Sequence, residues 1–521
     1  MTTNKTLFDL IHFLLKPEGY PEKAGTVTHI ETHISHVFVG KTLVYKIKKP
    51  VNFGFLDFSS LNKRRHFCQK EVALNSRLAK DIYLDVVPIF KRGNVFSFHQ
   101  DSGCRIVEYA VRMKRIPMEC LLFNLIAEGR PLYGDLDEVG STLALFHQGI
   151  KSYRGKKFGG MDIIAGASKE NFEQIKPFLG MTLEGQIYNT IMDYTTDFIE
   201  KNGILFSKRK RDGFVREGHG DLHCQHICLE HPPVIFDCIE FNDAFRIIDV
   251  LEDIAFLFMD LEYRGRFDLT SRLLKSYFET WHESMNEDLL IFYKIYRAVV
   301  RGKVESFTAH GVNEKHERET AMVRARNYFH LADHYIHSNG KPFNPMVFMG
   351  LSGSGKSTIA KGFSPKSIIL RSDKIRKEVS GINTEHHLYG TVGEGIYNPE
   401  LTRQLYCALV DKAVTNAREG RKVIVDATYL KANQRKHFYD ACIAHGMNPF
   451  FVHCFASEDT LRERIRKRIA EGTDISDAHI GVLEHQLEHL EEPDELPSFR
   501  VLRINTEDAI DNIINALKEF L

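Results

Sequence analysis

The pattern of apolar and polar positions changes character near residue 340. Before that point, strand-length runs rich in β-branched and aromatic residues occur at 42–47, 86–90, 106–113 and 234–238. A helical apolar period then runs from about 249 to 335. Strands first and helices afterwards predict an α+β domain. Beyond residue 340, short apolar runs at 346–349, 367–370, 422–425, 450–455 and 500–504 alternate with helix-period segments. Apolar strands separated by helices predict a parallel sheet covered on both faces, so this part is expected to be α/β. The stretch 338–345 is polar and turn-rich, which divides the chain into 1–337, a linker at 338–345, and 346–521. At the start, the apolar run 7–15 is interrupted by Asp9 and His12 and reads as an amphipathic helix rather than a signal peptide.

Composition narrows the class. A chain of 521 residues is too long for one core and predicts roughly two to four domains. With 43% apolar and 26% charged residues, neither global disorder nor a fibrous repeat fits. Sixty-nine basic residues balance 69 acidic ones, so no overall field draws the chain to nucleic acid or an anionic membrane. Charges cut even the longest apolar runs, such as 254–259, far below a bilayer-spanning length. Nine cysteines, an odd number thinly spread, predict reduced thiols and a cytoplasmic setting.

The densest chemistry follows the run 346–349: Gly350, Ser352, Gly353, Ser354, Gly355, Lys356, Ser357 and Thr358, leading into a helical run at 359–363. Glycines let backbone N–H groups turn inward around phosphate oxygens, and a helix start adds positive potential. Lys356 reaches the outer phosphates and Ser357 can hold Mg²⁺. A glycine-rich turn without a ligand is the plain alternative; the complete pattern in its strand–loop–helix setting favours a nucleotide site, with ATP and Mg²⁺ expected.

Asp373 and Arg376 follow the second strand, at the edge where ligands of open α/β sheets collect. Asp373 is a candidate base for an acceptor hydroxyl and Arg376 a candidate clamp, with helix capping by Asp373 as the rival. Asp426 ends the third strand and is a candidate for the metal's shell beside Ser357, again against a capping role. Further on, Leu461, Ile465 and Ile469 share one helical face, while Arg464 and Arg468 share another. Those arginines could close over a transferring phosphoryl group, or form a solvated face paired with Glu463 and Glu471.

Taken in order, these motifs make residues 346–521 resemble the P-loop kinases related to polynucleotide kinase, zeta toxin and gluconate kinase. The resemblance implies that Asp373 is the acceptor base and that Arg376 holds substrate phosphate or sugar. It leaves the acceptor open.

In the first part, Asp221 lies in a cluster with His219, His223, Cys224 and His226, and Asp237 follows sixteen residues later. Such a pair suits phosphoryl transfer, with Asp221 as hydroxyl base and Asp237 as Mg²⁺ ligand. This resembles the aminoglycoside phosphotransferase and choline kinase group, which has a protein-kinase-like fold. The resemblance implies that Lys46 binds phosphate and that Glu71 is its ion-pair partner. The two domains in this order resemble bacterial proteins in which a phosphotransferase-like domain is fused to an ATP-binding kinase domain. One departure stands out: where the group carries an Asn metal ligand, this chain has His226. Imidazole is a poorer partner for Mg²⁺, so this domain is expected to bind metal differently, to work slowly, or to act as a regulatory module.

No glycine-rich loop is evident around 28–40. His223, Cys224, His226, Cys228 and Cys238 match no standard zinc spacing and read as core residues. Lys208, Arg209, Lys210 and Arg211 read as a solvated polar loop. The sequence thus predicts an ATP- and Mg²⁺-dependent phosphotransferase acting on a small sugar-like or nucleotide-like hydroxyl, with a second kinase centre or regulatory module in front. A nucleotide-gated binding ATPase with a catalytically weak first domain is the alternative. No membrane partner is expected, a nucleic acid only as a 5′-hydroxyl end, and no protein partner is indicated.

Overall fold

The computed structural model describes residues 4–282, 285–338, 343–363, 367–380, 399–471, 479–508 and 510–520. Its first sheet contains β1 (Thr28–Glu31), β2 (Ser35–Val39), β3 (Leu43–Lys48), β4 (Tyr83–Arg92), β5 (Val95–Ser97) and β6 (Arg105–Lys114). Their order is β1-β2-β3-β6-β4-β5, and every neighbouring pair is antiparallel. The segment without a glycine loop is the β1–β2 hairpin, closed by Thr32, whose hydroxyl accepts from Ser35 N–H at 2.9 Å.

Alternation along β3 decides what each face carries. Tyr45 and Ile47 join Leu10 and Leu14 of the helix Asn4–Leu14 in one apolar cluster. Val44, Lys46 and Lys48 point the other way, toward the helix Leu61–Asn75. That helix starts at Ser60, whose side chain accepts from Lys63 N–H, and it buries Arg64, Cys68 and Glu71. Its packed face is therefore largely polar. Arg64 is neutralised by Glu108, 2.9 Å away, and Glu71 by the two strand lysines.

Five helices follow that sequence reading assigned to no element: Leu122–Ala127, Tyr133–Gly149, Met161–Ile175, Gly185–Lys201 and Gly203–Asp212. Their apolar stripes are narrow; in the fourth, buried Ile187, Ile191 and Ile199 are interrupted by buried Thr195. The basic run 208–211, expected in a solvated loop, lies in the last of them. Arg209 is buried against Asp249, with Nη2 2.8 Å from Oδ1, and Lys210 donates to Phe158 O at 2.6 Å. Structural partners within the fold therefore use two of the four charges.

Two short pairs come next, β7 (Val215–Glu217) with a later strand and β8 (Ile227–Cys228) with β9 (Val234–Ile235); β10 (Ile247–Asp249) is the partner of β7. The predicted run 234–238 thus ends as a strand at Ile235, and Asp237 turns out of it with φ +61°. The helices Val250–Tyr263, Phe267–Trp281, Glu287–Gly311 and Lys315–Ser338 occupy the segment predicted as helical. Val250–Tyr263 is buried along its whole length, so its acids have to find partners inside the protein.

The second sheet begins eight residues after Ser338, with positions 339–342 of the expected linker outside the described residues. It contains β11 (Met346–Met349), β12 (Ile368–Arg371), β13 (Val423–Asp426), β14 (Phe450–Phe455) and β15 (Val501–Asn505), all parallel, in the order β12-β13-β11-β14-β15. Leu405, Leu409 and Phe438 cover one face; Ile359, Ile513 and Leu517 cover the other. Apolar side chains on both faces explain the nearly continuous apolar strands.

The two parts touch closely. A Cβ on Gly265 would lie 2.1 Å from Val501 O, and Asn505 N–H donates to Gly129 O at 3.2 Å. Phe499, just before β15, is buried among the helices of the first part. None of the described helices is long and apolar enough to cross a membrane.

Candidate functional site

At the carboxyl end of β11 the chain turns through Gly350, Gly353 and Gly355, with φ of +139°, +83° and +79°. Side chains are excluded there twice over, by backbone conformation and by space. A Cβ on Gly350 would lie 2.1 Å from Cys454 O, and one on Gly353 2.8 Å from Leu461 O. Ser352 N–H donates to Gln486 Oε1 at 2.8 Å. The hydroxyl of Ser354 is buried without a hydrogen-bond partner, and Thr358 lies exposed in the first turn of the helix Lys356–Phe363. Lys356 opens that helix and donates to Leu351 O at 3.2 Å, across the turn.

Asp426, at the tip of β13, is 5% exposed. Burial raises its carboxyl above the usual range, while Lys356, a hydrogen bond from Ser357, and Arg371 oppose that shift. A cation, a hydroxyl and a carboxylate thus meet at one sheet edge. Asp373 lies in the first turn of the helix Ser372–Val379, close enough to act on the Asp426 carboxyl. The cap position of that helix is Arg371, without a side-chain capping bond, so Asp373 does not fill the capping role sequence reading left open. Arg376 is one turn further, its Nη1 3.2 Å from Thr402 Oγ1.

The arginine helix differs from expectation. Arg464 does not stand free to close over a ligand: its guanidinium donates to Thr506 Oγ1 at 2.8 Å, Thr506 O at 2.7 Å and Gly353 O at 3.3 Å. It braces the glycine loop with three of its five N–H donors. Arg468 lies one turn on, half-buried. Leu461 and Ile465 are buried as expected, but Ile469 is 49% exposed, because the helix Glu458–Glu471 runs past the core before it ends.

Behind the loop, β14 carries His453, 5% exposed, with Nδ1 unpartnered. Burial, reinforced by Arg503 and Arg435, pushes its ring down to about 4. An unfolded imidazole takes up its proton near 6.5, so protonation favours the unfolded chain. Stability contributed here is complete above about pH 6.5 and is lost as pH falls toward 4, by at most about 3 kcal/mol. Urea midpoints at pH 7 and 4.5 should therefore fall further in the native chain than in His453→Gln; equal falls would contradict the assignment.

In the first part, Lys46 Nζ lies 2.9 Å from Glu71 Oε1 and 2.7 Å from Asp237 Oδ1. Lys48 shares Glu71, at 2.6 Å, and also binds Glu240. Burial works against the Asp237 charge, but Lys46 and His226 outweigh it and hold the carboxyl low. Asp221 behaves likewise: burial opposes ionisation, and His223 and His226 overcome it. His226 spans the two acids, with Nδ1 2.9 Å from Asp221 O and Nε2 3.5 Å from Asp237 Oδ2. The cysteines of the cluster, Cys224, Cys228 and Cys238, are buried free thiols.

Sequence reading missed what holds this cluster. Asp253 accepts from His219 N–H at 2.7 Å and Gly220 N–H at 2.8 Å, and Asp260 accepts from Cys224 N–H at 2.9 Å. Both acids come from the buried helix Val250–Tyr263 and clamp the two ends of the loop 219–224. Asp253 and Asp260, seven positions apart in a strongly apolar helix that also carries Glu252 and Glu262, were the available signal. Gln486, Thr506, Lys48 and Glu240 carried none.

Residues 346–493 match the family model described as an AAA domain. Uncharacterised proteins of Mycobacterium tuberculosis and Mycobacterium bovis are 28% identical over 453 residues, covering 85% of this chain and 86% of theirs. Among solved structures, the chain is similar to a choline/ethanolamine kinase family protein from Mesorhizobium loti, at 11% identity over 63% of this chain and 99% of that one, TM-score 0.36. An aminoglycoside phosphotransferase solved with AMP-PNP and hygromycin B matches at 11% identity over 64% and 99%, TM-score 0.37. A sugar kinase from Janibacter sp. matches at 21% identity over 33% of this chain and 91% of its own, TM-score 0.25.

Proposed function

We propose that the chain is an ATP-dependent phosphotransferase that moves the γ-phosphoryl group to a hydroxyl of a small sugar-like or nucleotide-like acceptor at the edge of the second sheet. The observation that carries this reading is the meeting of Lys356, Ser357 and Asp426 beneath a loop of three left-handed glycines. The loop amides and the start of the helix Lys356–Phe363 supply donors and positive potential for phosphate oxygens. Lys356 stabilises charge on the outer phosphates as it develops. Ser357 and Asp426 are adjacent hard oxygen donors, a set that fits Mg²⁺. That ion, when bound, neutralises phosphate charge.

In the transfer the acceptor oxygen forms a bond to the γ-phosphorus, the bond to the bridging oxygen breaks, and ADP leaves. Asp373 takes the proton of the acceptor hydroxyl, and Arg376, steadied by Thr402, orients the acceptor. Arg464 acts as a positioning residue, holding Gly353 in place from outside. The first part serves as a second kinase centre or as a module that senses its own ligand, with Asp221, Asp237, Lys46 and Glu71 as its charged groups.

Labelled ATP offered with a panel of sugars and nucleosides tests the reading. Transfer to an acceptor should fall by about 10²-fold or more in Asp373→Asn. Release of free phosphate alone, unchanged in that variant, would instead support a nucleotide-gated binding protein.

A further inference from the structure

We infer that Gln486 is a positioning residue for phosphoryl transfer, fixing through one peptide unit the place where the Lys356 ammonium is held. This role presupposes transfer at the second sheet. The peptide is Leu351–Ser352, and it is tied at both ends. Its N–H donates to Gln486 Oε1 at 2.8 Å in a buried bond. Its carbonyl accepts from Lys356 Nζ at 3.2 Å and from Ser354 N–H at 3.1 Å. A backbone N–H only donates, so the carboxamide has to present its oxygen here. Because a peptide unit is planar, its N–H and C=O turn together, and the acceptor on one side sets the direction of the carbonyl on the other.

The helix that carries Gln486, Ile480–His489, is docked by other groups. Its Leu483 is fully buried against Leu351, Leu461 and Ile465, and Leu487 and Leu490 border the same cluster. Just beyond the helix, Glu491 N–H donates to Leu430 O at 3.0 Å, and the Glu491 carboxylate accepts from Ala432 N–H at 2.7 Å. Gln486 is a polar group set into this apolar contact, 7% exposed. A carboxamide buried in such a place costs free energy unless it is hydrogen-bonded, and Ser352 N–H is the donor it meets.

The loop is gripped again one residue further on, where Gly353 O accepts from Arg464 Nη1 at 3.3 Å. Two helices thus hold successive positions, one through an acceptor and the other through a donor. Without the Gln486 oxygen, the buried Ser352 N–H has to turn to find another acceptor, and Leu351 O turns with it, away from Lys356. The lysine then loses its resting place beside the phosphate loop. A group misplaced by about 1 Å from the reacting atoms can cost about 10²-fold in rate, so a bond far from the chemistry becomes visible in it.

The test uses the full chain with labelled Mg-ATP and the pooled sugars and nucleosides, and reads ADP formed above that formed by Lys356→Ala. Gln486→Met keeps the apolar contact and removes the acceptor. Its kcat should fall by about tenfold or more, with KM for ATP within about threefold of the parent, because the lysine it misplaces acts on charge that develops in the transition state. Gln486→Glu keeps an acceptor oxygen and should recover most of that loss at saturating ATP. Should the methionine variant not fold, Gln486→Ala answers the same question. A kcat within about threefold of the parent in Gln486→Met overturns the role, as does a rise in KM alone or an equal loss in Gln486→Glu. Those results leave the second sheet as the site of transfer, whereas ADP formation undiminished in Lys356→Ala removes that site and this role together.

Discussion

Replacing Lys356 by alanine is expected to lower phosphoryl transfer by about 10²-fold or more while leaving the fold intact. The size follows from where the ammonium stands. It opens the helix behind the glycine turn and lies close enough to Asp426 to oppose the effect of burial on that carboxyl. A fixed donor at the place where phosphate charge develops acts in a partly desolvated site, where it counts for far more than in water. Its structural role is slight: one hydrogen bond, to Leu351 O at 3.2 Å, worth about 1 kcal/mol. The thermal midpoint should therefore move little, calorimetric binding of Mg-ATP should weaken, and transfer should fall. Transfer retained within a factor of about three would place the chemistry in the first part of the chain and remove the second sheet from the mechanism.

Lys48→Met is expected to destabilise the protein by about 3–5 kcal/mol at pH 8 and by clearly less at pH 5. Lys48 is 1% exposed and stands between Glu71 and Glu240. Burial alone would lower its pKa, and the two carboxylates instead hold it above the usual lysine value. The five-member cluster contains two ammonium groups, Lys46 and Lys48, and three carboxylates, Glu71, Asp237 and Glu240. Methionine fills a similar volume but leaves Glu240 facing Glu71 with no cation of its own. Burial already raises the Glu240 carboxyl in the native chain, and loss of Lys48 raises it further. A folded carboxyl that holds its proton more tightly than the unfolded one makes stability fall as pH rises above the unfolded value near 4.3. The loss therefore grows with pH. Lys48→Met combined with Glu240→Leu should recover most of it, because a neutral apolar pair costs no charge burial. Equal losses at pH 5 and pH 8, or no recovery in the double variant, would show that packing rather than charge sets the effect.

The legible and the hidden parts of the molecule differ in range. All five strands of the second sheet appear close to where apolar runs placed them, because each is covered on both faces and needs continuous apolar sequence. The glycine turn was legible for a related reason, since its backbone conformations and tight approaches exclude other residues. The five helices between 122 and 212 were not read, because their buried stripes include polar positions such as Thr195 and Asn171. The helix Leu61–Asn75 shows the extreme case: its packed face is built from ion pairs, and hydrophobic periodicity is silent about those.

The sequence by itself determined the class of each half, the glycine turn and its lysine, and the identity of the acids that end strands or turns. Each of these rests on neighbours within one or two helical turns or strand residues, where spacing alone decides geometry. Only the tertiary structure decided which distant groups meet. Lys46 reaches Asp237 across 191 positions, Asp253 grips the loop at His219, and Arg464 is tied to Thr506 and so becomes a brace instead of a lid. The physical reason is that a buried charge takes whichever counter-charge packing brings within reach, and local spacing carries no record of that partner.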